Sequence, residues 1–175
     1  MSFLPSLPDN AVLDHVFKRF PATVRPLLEY HDILLRGPSP LTVPEREMIA
    51  AFVSGLNECS FCFGAHSALS EAFGIDENVF LQLMDDVKLA DVPEKMKPLL
   101  SYVKKLTETP SRMTETDARA VLDAGWEEQA LHDAVSVCAL FNFMNRLVEG
   151  MGVKGSSSLK IAAREQFDSM GVEKL

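Results

Sequence analysis

Clusters of Lys and Arg are missing from this 175-residue chain, in which 25 acidic residues outnumber 17 basic ones for a formal net charge of −8. A field of that sign repels phosphate backbones, so nucleic acid is not an expected partner. No segment approaches the roughly 18 consecutive apolar residues of a membrane span. The start, Met1-Ser2-Phe3-Leu4-Pro5, has neither the basic opening nor the apolar run of a secretory signal, and the cytoplasm is the expected location, with no membrane partner. Cysteine is scarce too: three residues do not make a disulfide framework, and in an intracellular chain a Cys-x-x-Cys pair points to redox chemistry or metal binding. Strand-like alternation of apolar and polar residues, internal repeats and low-complexity tracts are also lacking.

What remains is an ordinary globular composition, 47% apolar and 24% charged, of a length that suits one domain over residues 1–175. Apolar residues recur at helical spacing almost throughout, which predicts an all-α fold. Helices are expected at about 10–19, 23–36, 43–56, 58–73, 76–87, 94–109, 115–124 and 127–149, with a last one near 157–169, packed as a compact helical bundle. Punctuation supports these limits. Gly37-Pro38-Ser39-Pro40 breaks the chain, and Thr42-Val43-Pro44-Glu45 is a capping box with proline near the first turn. Asn57 either closes that helix or caps the next, Gly74 suits the residue after a helix end, Thr114 to Asp117 forms a second capping motif, and Gly125 closes a short helix.

The stretch Cys59-Ser60-Phe61-Cys62-Phe63-Gly64-Ala65-His66 sets two thiols and an imidazole within two helical turns. At about 100° of rotation per residue, offsets of three and seven bring Cys59, Cys62 and His66 to one face. Both cysteines fall near the start of their helix, where backbone N–H groups and the dipole favour a thiolate. His66 lies one turn beyond Cys62, which makes Cys62 the expected activated sulfur. If helices 43–56 and 58–73 form an antiparallel hairpin turning near Leu56-Asn57, symmetry about the turn sets Glu47 level with His66. The carboxylate would then orient the imidazole to take the Cys62 proton, a relay of Glu47, His66 and Cys62.

Two other uses of these residues stay open. Cys, His and Glu are the ligand types of a tetrahedral zinc site, although zinc sites usually draw ligands from turns or two separated pairs, and here no second pair follows. A helical oligomer could also use the dithiol only to sense oxidants or exchange disulfides, without sustained turnover. Elsewhere the expectations are structural. Cys138 lies in an apolar stretch and reads as a small core residue, the eight methionines as core fillers, and His15, His31 and His132 as surface or boundary residues without a role. Asn142, Asn145 and Arg146 suggest a buried polar network or a subunit contact.

Leu41 to Ala50, then Leu56-Asn57-Glu58-Cys59-Ser60-Phe61-Cys62 and His66, resemble the alkylhydroperoxidase D (AhpD) and carboxymuconolactone decarboxylase superfamily, most nearly its uncharacterised peroxidase-related branch. A glutamate twelve residues before CxxCxxxH is the family signature, and Glu47, Cys59, Cys62 and His66 match it. Phe141 to Arg146 and Gly150-Met151-Gly152 extend the likeness. The resemblance implies an AhpD-like helical fold, assembly into dimers or hexamers, and reduction of small organic hydroperoxides without haem, flavin or other cofactor, Cys62 being peroxidatic and Cys59 resolving. It also implies reset by an external dithiol, such as a thioredoxin or lipoyl-type protein. One position departs: AhpD carries a histidine just before the second cysteine, and here Phe61 removes that proton-transfer partner.

Overall fold

A computed structural model describes residues 2–153 and Glu165. Eight α-helices follow one another: α1 Leu13–Arg19, α2 Val24–Arg36, α3 Val43–Leu56, α4 Ser60–Ala72, α5 Asn78–Asp85, α6 Met96–Glu108, α7 Glu115–Asp123 and α8 Glu128–Gly150. Short 3-10 turns precede α2 and α7. The all-α expectation holds, with no strand among the described residues. The helix expected near 157–169 lies outside the described residues apart from Glu165.

The centre is α3. It is buried without a break from Arg46 to Ser54, as befits a helix apolar on nearly every side, and it packs against α2, α4, α5, α6 and α8. Met48, Ile49, Phe52 and Val53 meet Leu99, Leu100 and Val103 of α6 and Ala134, Val137, Cys138 and Phe141 of α8 in one core. At about 25 cal/mol per Å² of apolar surface, each fully buried Leu, Ile or Phe contributes roughly 1.5–3 kcal/mol. Among the described residues no helix is long and apolar enough to cross a membrane.

Capping fixes how α3 enters. The Thr42 hydroxyl accepts from the Glu45 N–H, and Glu45 Oε2 accepts from the Thr42 N–H at 2.7 Å, the reciprocal box that the sequence predicts. Arg46 then turns back to donate to the carbonyls of Leu34 and Gly37 at 2.9 and 2.8 Å, satisfying carbonyls at the end of α2. The polar groups of the 37–42 connection are thereby tied to the core helix.

The exit of α3 matters more, because it sets the cysteines. Asn57 closes α3. The Glu58 N–H bonds the Gly55 carbonyl and the Cys59 N–H bonds the Ser54 carbonyl, both at 2.9 Å. That is a Schellman closure, which wants a left-handed residue after the cap. Glu58 occupies it with φ of 55°, the sole non-glycine with positive φ among the described residues. The same closure ends α4, where the Gly74 and Ile75 N–H groups bond Glu71 and Ser70, and there glycine holds the strained position with φ of 102°.

Candidate active site

The Schellman turn delivers Cys59 as the N-cap of α4 and Cys62 as its third residue. The cysteine pair therefore does stand at a helix N-terminus, with Cys59 half in the helix rather than in its first turn. Both sulfurs belong to a small apolar cluster with Val16, Val148 and Val153. Cys59 is fully buried and Cys62 retains 4% exposure. Cys62, and not Cys59, lines a cavity of about 110 Å³ that is also lined by His66.

The hairpin of α3 and α4 sets Glu47 beside His66, as symmetry about the turn predicts: His66 Nδ1 donates to Glu47 Oε2 at 2.6 Å. A second partner, not expected from the sequence, stands on the other side of the carboxylate. Arg36, the last residue of α2, brings its guanidinium to 2.5 Å from Glu47 Oε1. This contact is an ion pair whose alignment falls short of a hydrogen bond. Burial pushes the Glu47 carboxyl up, but His66 and then Arg36 outweigh it, and the net shift is downward from 4.5. Glu47 is a buried carboxylate with one cation to balance it and one imidazole to orient.

The two thiols are not equivalent. Interaction with the Cys62 thiol draws the Cys59 thiol below its ordinary range in spite of burial, and no side-chain hydrogen bond caps the helix at Cys59. The same interaction, followed by burial, pushes Cys62 up; Asn145 counteracts this in part, and the Glu149 carboxylate adds to it. Cys62, the expected activated sulfur, is the one of the two that lines the cavity together with His66. No hydrogen bond joins His66 to either sulfur among the described residues, although Cys62 and His66 lie side by side on the cavity wall.

Three further side chains were not assigned to the site from sequence. Asn145 is buried on α8; its amide donates to Ser54 Oγ at 3.0 Å, its oxygen accepts from Asn57 at 3.0 Å, and it lowers the Cys62 thiol against the pull of burial. The network expected around Asn142, Asn145 and Arg146 exists. The Glu149 carboxylate opposes the fall of the Cys59 thiol. His31 of α2, expected to be a surface or boundary residue without a role, is half-buried and lines the cavity with its ring centroid 6.1 Å from that of His66 and 5.9 Å from that of Phe141. Cys138 is buried apart from the pair, and burial raises its thiol.

The remaining walls are apolar. Leu13 and Phe17 come from α1, Leu27 and Leu28 from α2, Phe61 and Ala65 from α4, and Phe141 and Met144 from α8. A wider groove of about 540 Å³ runs past α6 and α7, but it holds no thiol or imidazole, and its Lys97 and Lys105 are paired with Glu94 and Asp117. No group of three or more His, Cys, Asp or Glu side chains is disposed to hold a metal ion among the described residues.

Buried thiols at a helix start, beside an imidazole held by a carboxylate in an AhpD-like helical fold, define the class of protein to which this chain is similar. A protein described as an alkylhydroperoxidase AhpD core, an uncharacterised peroxidase-related protein from Ralstonia eutropha JMP134, superposes with a TM-score of 0.77 at 26% identity, over 85% of this chain and 78% of that one. An uncharacterised peroxidase-related protein from Silicibacter sp. TM1040 gives a TM-score of 0.77 at 23% identity, over 83% and 76% of the two chains. The debrominase Bmp8 in complex with 2,3,4-tribromopyrrole shares the fold with a TM-score of 0.72 at 12% identity, over 87% and 80%. No family model matches the sequence, and no curated protein matches it. The structural neighbours agree with the AhpD-like resemblance carried by Glu47 and CxxCxxxH. The debrominase shows that the fold alone does not fix the reaction.

Proposed function

We propose that the protein is a cytoplasmic thiol-dependent hydroperoxide reductase working through a Cys59–Cys62 dithiol and disulfide cycle. The observation that carries this reading is the cavity on which Cys62 and a Glu47-held His66 stand side by side. The peroxidase-related neighbours support it.

In this scheme Cys62, the sulfur open to the cavity, attacks the terminal oxygen of ROOH. The O–O bond breaks, the S–O bond forms, and Cys62 becomes a sulfenic acid. The Cys62 proton travels by the second nitrogen of His66 to the departing alkoxide, releasing ROH. Cys59 then attacks the sulfenic sulfur, its proton leaving with the hydroxide as water, and the disulfide closes. Two thiols have been oxidised and one peroxide bond reduced. An external dithiol, on a small molecule or a thioredoxin or lipoyl-type protein, returns the pair to the reduced state. Glu47 stays ionised and fixes the ring so that its other nitrogen faces the cavity. Assembly of identical chains completes the picture that the family likeness supplies.

The test is steady-state consumption of an organic hydroperoxide with a dithiol reductant. Wild-type protein is expected to turn over repeatedly and Cys62→Ser not at all. Full turnover in Cys62→Ser refutes the mechanism, and a single stoichiometric oxidation without turnover marks a sensor instead.

A further inference from the structure

His31 has no part in the relay, yet it occupies the wall of the cavity into which Cys62 opens. Its ring tilts at 47° to that of His66, with centroids 6.1 Å apart, and both rings lean on Phe141, at 5.9 and 4.5 Å. Neither of its ring nitrogens has a hydrogen-bond partner among the described residues, in contrast to His66. Neither nitrogen is sealed from solvent either, so the ring N–H of this half-buried imidazole is free to bond an oxygen that enters the apolar cavity.

We propose that His31 is a substrate-binding residue, donating a hydrogen bond to the oxygen of bound ROOH that leaves as the alcohol, while the walls of Leu27, Leu28, Phe17 and Met144 hold a compact, uncharged organic group. The role rests on the hydroperoxide reading of this site. His31 transfers no proton: burial, and after it the neighbouring His66, push its pKa down to about 4 against the opposing pull of Glu47, with Arg36 lowering it and Asp32 raising it slightly. Its N–H is thus a neutral donor across the physiological range. When Cys62 sulfur takes the terminal OH, the electron pair of the O–O bond moves to the RO oxygen. His31 bonds that developing charge while the Cys62 proton arrives by way of His66, and the products are ROH and the sulfenic acid. A donor waiting where charge develops stabilises the transition state more than the ground state.

The experiment compares His31→Leu, which keeps bulk and loses the donor, with His31→Gln, which keeps an N–H. The readout is kcat/KM for tert-butyl hydroperoxide with a small dithiol. His31→Leu is expected to lose about tenfold to a hundredfold, at or below the ~10²–10³ of a single oxyanion donor, and His31→Gln to recover part of it. Unchanged kcat/KM in His31→Leu, or a loss that His31→Gln does not lessen, overturns the role. A second measurement uses unaltered protein: titration with tert-butanol, the unreactive product, is followed by imidazole 15N resonances. A shift at His31 is expected, and its absence overturns the contact even if both variants misfold. Wild-type protein that binds the alcohol at His31 but consumes no hydroperoxide keeps the ligand contact and removes the peroxidase reading, which separates the two failures.

Discussion

Replacing Glu47 by Gln changes almost nothing but charge, and the structure sets what that charge is worth. The side chain is 0% exposed, while its partners Arg36 and His66 keep 17% and 14%. Removing one member of a fully buried pair costs about 3–5 kcal/mol. Here the guanidinium left behind has a route to water, and the glutamine can still accept from His66 Nδ1, so the expected loss is about 2–3 kcal/mol at pH 7. Against a total stability of roughly 5–15 kcal/mol the variant stays folded, and urea denaturation can measure it. The pH dependence identifies the cause. The folded pKa of Glu47 lies below its ordinary 4.5, so its contribution is complete above that value and is lost as pH falls through the lower folded one. The difference between wild type and Glu47→Gln should therefore be constant from pH 7 down to about 5 and shrink below about 4.5. A difference under about 0.5 kcal/mol at pH 7, or one that does not change in acid, would refute the assignment of Glu47 as a doubly partnered carboxylate.

Two other substitutions probe the surroundings of the thiols. Asn145→Ala leaves the Ser54 hydroxyl and the Asn57 amide short of a partner and removes the group that opposes the rise of the Cys62 thiol; a loss of about 1–3 kcal/mol in urea denaturation is expected, with slower alkylation of Cys62 by iodoacetamide. Glu58→Gly relieves the left-handed strain at φ of 55°, and after the greater chain entropy of glycine is deducted it should stabilise the fold by about 0.5–1 kcal/mol, read from the same denaturation midpoint.

Much of this architecture is legible in the sequence where the chain carries its own punctuation. Thr42 with Glu45, Thr114 with Asp117, and Gly74 mark helix ends through hydrogen bonds made within a few residues, and all three act as the pattern predicts. The Glu47–His66 contact is legible for a related reason: two helices joined by a tight turn have their register fixed by the turn, so spacing becomes distance. His31 and Arg36 escape such reasoning because they sit on α2, a helix away from the hairpin. Whether a residue of α2 faces α3, solvent or a cavity depends on the rotation of the whole helix, and nothing local in its sequence states it. The inequality of the cysteines escapes for a finer reason. A shift of one residue in the helix start decides whether Cys59 is the N-cap or an ordinary first-turn residue. The strained Glu58 sets that boundary, and no propensity favours a glutamate there.

In the proposed cycle, the charges around the cavity bear on how a sulfur with a raised pKa can be the one that meets substrate. Glu47 is balanced by Arg36, and His31, its pKa near 4, carries no charge at neutral pH. An anion formed at Cys62 would be the unmatched charge of an apolar wall, with Glu149 repelling it further. Across the pair, the Cys59 thiol is lowered by its Cys62 partner but does not line this cavity, whereas Cys62, its thiol raised so that it holds its proton, does. For Cys62 to attack, that proton must leave as the new S–O bond forms, and an oxygen acceptor in the cavity is what gives it somewhere to go. Such a thiol is slow toward reagents that need a free thiolate and fast toward a ligand that completes the proton path, so thiol acidity alone is a poor measure of this site and turnover the proper one.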